Sequence, residues 1–82
     1  MPISYSRRAQ KELRGLPKQA REDIVNALER IGAGDTAVDV KPMTGQQAQR
    51  VRVGKWRAIF RIEDSGDLTV IRIGSRGDVY KG

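Results

Sequence analysis

The order of local patterns predicts an α+β domain: an N-terminal strand, a two-helix antiparallel hairpin, and an antiparallel sheet of about four strands against which the hairpin packs. Two observations carry this. Residues 7–31 repeat their apolar side chains at helical spacing, whereas residues 49–73 alternate apolar with charged side chains and then run into β-branched ones. The length sets the scale: 82 residues are read as one domain, 1–82, since a chain of this size buries only about 60 to 65% of its unfolded surface around a single core.

Pro2-Ile3-Ser4-Tyr5-Ser6 alternates apolar Ile3 and Tyr5 with small polar residues, which predicts a short half-buried strand. From Arg7 the period changes. Ala9, Leu13 and Leu16 share one helical face while Arg7, Arg8, Lys11 and Arg14 occupy others, and Ser6 is placed to cap the N-terminus. Gly15 and Pro17 break this helix. Ala20, Ile24, Ala27, Leu28 and Ile31 then form a second apolar stripe, with Pro17 in the first turn and Gly32 and Gly34 as the stop. Asp35 to Gln49 loses periodicity and collects Pro42, Gly45 and several Gln, and reads as a connecting loop with at most a few extended residues.

Arg50-Val51-Arg52-Val53 alternates strictly, Gly54-Lys55 suits a turn, and Trp56 to Glu63 returns as the partner strand. Asp64-Ser65-Gly66-Asp67 is a second turn, before the β-branched run Leu68 to Ile73. Gly74 is expected to break that strand, and Asp78-Val79-Tyr80 to add a brief last one.

Sixteen Lys and Arg against ten Asp and Glu leave a formal charge of +6, so polyanions are attracted whatever the fold, and nucleic acid is the default partner class. The chain has neither Cys nor His, which excludes disulfides, thiolate or imidazole metal sites, and Ser/His or Cys/His nucleophilic pairs. No metal or other cofactor is expected. No apolar run approaches a signal-peptide core or a membrane span, so the expected location is the cytoplasm.

Residues two apart on a strand face the same side, so Arg50 and Arg52 point together, as do Arg57 and Arg61 opposite Trp56, Ala58, Phe60 and Ile62. Arg72 or Arg76 would extend that surface. Alternating charges often mark only the wet face of a sheet, but a wet face usually mixes signs, and here Arg50, Arg52, Arg57, Arg61 and Arg72 face only Glu63 at a strand end. Planar guanidinium groups suit phosphate oxygens. Cleaving RNA without metal or histidine uses the 2′-hydroxyl as nucleophile, and the protein must remove its proton, stabilise the phosphorane and protonate the leaving oxygen. Tyr80 is a possible proton acceptor, although a tyrosine near a terminus is more often a packing residue. Trp56 is either a stacking platform for a base or an apolar anchor, and its parity with Phe60 and Ile62 favours the anchor.

Arg50-Val51-Arg52-Val53-Gly54-Lys55-Trp56-Arg57-Ala58-Ile59-Phe60-Arg61-Ile62, followed by Val70-Ile71-Arg72-Ile73-Gly74-Ser75-Arg76-Gly77-Asp78-Val79-Tyr80, resembles the RelE/ParE toxin superfamily. Ala9 with Leu13-Arg14-Gly15-Leu16-Pro17 is similar to the family's helical hairpin, so the resemblance spans nearly the whole chain. It implies a RelE-like toxin of a type II toxin–antitoxin pair, a ribosome-dependent, metal-independent endoribonuclease that cuts messenger RNA in the A site. The implied partners are a RelB-like antitoxin, the ribosome and messenger RNA, with no membrane. The alternative within the superfamily is a ParE-like inhibitor of DNA gyrase without nuclease activity.

By the same resemblance Arg50 and Arg52 bind and stabilise phosphate, Arg57 stabilises the transition state, Arg76 is a phosphate ligand or proton donor, and Tyr80 is the general base. The implied catalytic set is Arg52, Arg57, Arg76 and Tyr80, with Arg50, Arg52, Lys55, Arg61, Arg72 and Lys81 binding RNA. Two departures matter. RelE-type members often carry lysine at the two positions held here by Arg50 and Arg52, and Arg76 is a poor acid because a guanidinium scarcely deprotonates. With two residues after Tyr80, no C-terminal helix is expected, and the antitoxin is expected to act by covering the basic face.

Overall fold

A computed structural model describes residues 2–35, 40–42 and 48–75. The elements are β1 (Ile3–Tyr5), α1 (Arg7–Arg14), α2 (Lys18–Gly32), β2 (Val40–Pro42), β3 (Gln49–Val53), β4 (Trp56–Ile62) and β5 (Leu68–Ser75). The two helices pack on one face of a five-stranded sheet ordered β1-β5-β4-β3-β2. The expected α+β class and helical hairpin are thus present, with three differences in the sheet.

The first is that β1 pairs with β5 in parallel, Ile3 opposite Leu68 and Tyr5 opposite Val70, while every other pairing is antiparallel. Alternation specifies which side chains are buried but not the direction of the neighbour, so this was not readable from residues 2–6. The second is β2: the few extended residues expected within the connecting loop are three that pair with β3 as a further strand, and Pro42 fits there because β2 is an edge strand with no further ladder to donate to. The third is that Gly74 does not break β5, which continues to Ser75 opposite Trp56.

Ser6 performs the capping expected of it and more. Its Oγ accepts from the Ala9 N–H at 3.0 Å and donates to the Ile71 carbonyl at 2.9 Å, while its backbone N–H donates to the Val70 carbonyl at 2.8 Å. One residue therefore ends β1, starts α1 and ties both to β5. The α1 first turn holds no acid, and Arg7 and Arg8 stand at the positive pole of the helix dipole, a placement that costs about 0.3–1 kcal/mol per charge. Pro17 is one position earlier than expected, at the N-cap of α2, and Gly34 takes a φ of 87° just past its end, where a side chain would be strained.

The core lies between helices and sheet. Ile24 and Leu28 of α2 and Ala9 of α1 meet Val51, Ala58, Phe60, Leu68, Val70 and Ile73, all fully buried or nearly so. Each large member contributes about 1.5–3 kcal/mol relative to exposure. Trp56 is partly buried and packs on this cluster, which makes it the anchor rather than a free platform. Gly54 carries a φ of 60° at the first central position of the β3–β4 turn, the position that a type II′ hairpin reserves for glycine. Among the described residues no helix is long and apolar enough to cross a membrane.

A candidate nucleic-acid interface on the arginine face

Strand register decides which arginines meet. Arg52 lies directly opposite Arg57, and Arg57 in turn lies opposite Gly74. One row along, Arg50 is opposite Ile59, and Ile59 opposite Arg72. Their partners in the ladder, Val51 with Ala58 and Ala58 with Ile73, point into the core, so both rows belong to the face turned away from the helices. A small second cluster of Ala48, Ile59 and Ile71 forms the apolar floor between the arginines.

The placement of Arg72 on this face depends on an irregularity. In a regular strand Leu68, Val70 and Arg72 would share one side and Arg72 would enter the core. Pairing instead steps from Phe60 opposite Val70 to Ile59 opposite Arg72, leaving Ile71 as the extra residue of a bulge. Val70 and Ile73 both face the core as a result, and Arg72 faces the other way.

Arg57 is the central observation. The residue is only 8% exposed, its Nη1 donates to the Trp56 carbonyl at 3.3 Å, and it forms no ion pair among the described residues. A charge held this far from water without a carboxylate is costly, and the exposed Arg52 across the ladder adds like-charge repulsion. Gly74, opposite Arg57 in the ladder, adds no side chain on that flank. Two adjacent guanidinium groups of this kind can hold the non-bridging oxygens of a phosphodiester and stabilise the extra charge of a pentacoordinate phosphorane.

The other expected site residues divide. Arg50 is half-buried in the neighbouring row, and β2 brings Lys41 to the register position opposite it, a pairing that the sequence of that segment did not show. Lys55 sits at the exposed tip of the β3–β4 turn with its Nζ 5.2 Å from the centre of the Trp56 ring.

Two of the expected residues are engaged by carboxylates. Arg61 is exposed but lies opposite Thr69, four residues along β4 from Arg57 and so roughly 13 Å away, where its Nε binds Glu63 Oε1 at 2.9 Å. That hydrogen bond from Arg61 holds the Glu63 carboxyl below its usual range, with a further contribution from Thr69. Arg72 is only 9% exposed, and its Nε donates to both oxygens of Glu12, at 3.3 and 3.2 Å. Neither is an open cation beside Arg52 and Arg57. Arg76, Tyr80 and Lys81, and the last strand expected at Asp78-Val79-Tyr80, lie outside the described residues.

Glu12 was not singled out from the sequence. It is the lone acid on α1, and besides Arg72 it accepts the Ile73 N–H at 2.9 Å, taking the place of a ladder partner on the β5 edge beyond the end of β1. The signal available was a single carboxylate on an otherwise basic helix.

This architecture, a helical hairpin on a mixed sheet, is shared with solved structures of RelE toxins and their complexes. A chain of the RelB–RelE antitoxin–toxin complex from Methanococcus jannaschii superposes with a TM-score of 0.79 at 20% identity, 94% of each chain being covered. The RelBE2 toxin–antitoxin complex from Mycobacterium tuberculosis gives 0.76 at 19% identity over 92% of this chain and 96% of that one. The isolated E. coli RelE toxin gives 0.73 at 22% identity over 96% and 89%. No curated protein matches the sequence at a significant level. The family model for the ParE toxin of the type II toxin–antitoxin system parDE matches residues 3–80. The chain belongs to that family, and it is a type II toxin of the RelE/ParE superfamily.

Proposed function

We propose that this toxin is a metal-independent, ribosome-dependent endoribonuclease that cleaves messenger RNA in the A site and so inhibits translation in the cytoplasm. The observation that carries the reading is Arg57, buried without a carboxylate among the described residues and set directly against Arg52. A toxin that only bound a protein would gain little from keeping these two charges together, whereas a phosphorane needs both. In this reading Arg52 and Arg50 hold the scissile phosphate and Arg57 stabilises the developing charge. Tyr80 takes the proton of the 2′-hydroxyl as it attacks phosphorus, and Arg76 serves as phosphate ligand or as the donor that protonates the departing 5′-oxygen as its bond to phosphorus breaks. The ribosome supplies part of the alignment, since positioning the 2′-oxygen in line is itself a large part of the barrier. A RelB-like antitoxin would neutralise it by covering the arginine face; the M. jannaschii and M. tuberculosis relatives are themselves toxin–antitoxin complexes.

The experiment is primer extension on messenger RNA translated with and without the purified toxin. Codon-positioned cuts that require ribosomes are expected, and Arg57→Ala should reduce their rate about a hundred- to a thousandfold, as removal of one preorganised transition-state donor does. Intact messenger with folded wild-type toxin defeats the proposal. The family match itself favours a second reading, inhibition of DNA gyrase without nuclease activity. A supercoiling assay separates the two: gyrase inhibition with translation untouched would establish the second.

A further inference from the structure

The outward face of α1 is a second basic surface, separate from the arginine face of the sheet. Ala9 and Leu13 point into the core, which turns Arg7, Lys11 and Arg14 to the opposite side of the helix, with Arg8 at its flank and Lys18 following at the start of α2. All five are exposed, and none forms an ion pair among the described residues. The one acid of α1, Glu12, is turned inward to Arg72 and the Ile73 N–H and offers them nothing.

Ordinary solvation does not account for this face. The neighbouring α2 mixes its signs, with Lys18, Arg21 and Arg30 against Glu22, Asp23 and Glu29. On α1 the cations stand at i, i+4 and i+7, so each repels the next, and Arg7 with Arg8 also opposes the helix dipole, which favours Lys11 and Arg14 in the last turn. A helix tuned for its own stability would place an acid in its first turn and interleave signs along the row. Among the described residues no carboxylate relieves this repulsion.

We propose that the outer face of α1 binds the phosphate backbone of double-stranded RNA, as a docking surface distinct from the site at Arg52 and Arg57. Arg7, Lys11 and Arg14 run in a row about 10 Å long at the helical rise of 1.5 Å per residue, the reach of a few successive backbone phosphates. No aromatic side chain lies among them, so this face cannot stack the bases of a single strand, and a row of point charges is suited to a preformed backbone. It faces away from the sheet, so an RNA strand on Arg57 and the duplex on α1 are different segments. A protein with basic surfaces on two sides fits a cleft in a folded RNA. The partner class rests on the nuclease reading above; the test does not depend on cleavage.

Binding of the full-length toxin to a 2′-O-methyl RNA stem, which has no free 2′-hydroxyl to react, is measured against salt. The variant Arg7→Gln/Lys11→Gln/Arg14→Gln keeps good helix formers and removes the repulsion, so it should fold at least as well as wild type. Loss of three phosphate contacts should lower the slope of log affinity against log salt by about 2 to 3, so that wild type loses roughly 40-fold more affinity than the variant between about 50 and 200 mM salt. A control variant, Arg21→Gln/Arg30→Gln, should leave that slope unchanged. An α1 variant with the wild-type slope overturns the proposal, as does an α1-dependent affinity for polyglutamate that exceeds the affinity for the stem. A normal α1 effect in a toxin that leaves ribosome-bound messenger intact would remove the nuclease reading and keep the docking surface.

Discussion

Replacing Glu12 by alanine should be the most damaging single change outside the hydrophobic core. The Glu12 carboxylate receives the Arg72 Nε at 3.2 Å and the Ile73 N–H at 2.9 Å, and the two charged side chains are only 24% and 11% exposed. Leaving the Ile73 N–H, on a residue 1% exposed, without its acceptor costs about 1–3 kcal/mol. Removing the carboxylate from a fully buried guanidinium would add about 3–5 kcal/mol, which the quarter exposure of Glu12 reduces to roughly 2. The sum, about 3–5 kcal/mol, is a large part of the roughly 4–12 kcal/mol expected for a domain of this length. Urea denaturation should show the midpoint falling by about 3 M or more at a slope near 1 kcal/mol/M. Glu12→Gln keeps an oxygen for the Ile73 N–H and should lose only about half as much. The exposed Arg61–Glu63 pair is the comparison: Glu63→Ala should leave the midpoint in a narrow range around that of wild type. A Glu12→Ala midpoint within that same range would refute the view that α1 is held to the β5 edge through this carboxylate.

The Arg52–Arg57 pair should show stability and function opposed. Arg52→Thr removes the charge facing Arg57 and substitutes a good strand former, so it should raise stability by about 0.2–1 kcal/mol in urea while lowering the salt slope of single-stranded RNA binding by about 0.7. A less stable Arg52→Thr protein would mean that the two cations do not repel. Tyr5 makes a pH prediction. Burial first, and then the charge of Glu29, hold its phenol above the ordinary value of 10.0, so the folded state favours the protonated ring. That contribution is complete below about pH 10 and is lost as pH rises through the folded value. Thermal stability should therefore fall at strongly alkaline pH, and Tyr5→Phe should flatten the fall; an unchanged profile would assign it to other groups.

The local patterns carried much of the structure. Ala20, Ile24, Ala27 and Leu28 are buried as their spacing required, and Val51, Ala58 and Phe60 fill the core from the face opposite Arg52 and Arg57. These are one-dimensional properties: periods of 3.6 and 2 sort side chains to faces wherever the element lies. The three-residue strand β2 had no such period to show, being too short to alternate and containing a proline.

What the sequence alone determined is that Arg50 and Arg52 share a face, that Arg57 faces away from Phe60, and that two amphipathic helices cover the other side. Which of the arginines meet was decided by tertiary structure, because register joins residues far apart in the chain. Arg57 came to lie against Arg52 and Gly74, while Arg61 went to Glu63 at the strand end. The bulge at Ile71 reversed the parity of Arg72, and Glu12, 60 residues away, then took its guanidinium. Alternation assigns a side of a strand, but only the packed sheet assigns a neighbour, and for a buried charge the neighbour determines whether it is a structural tie or a place for phosphate.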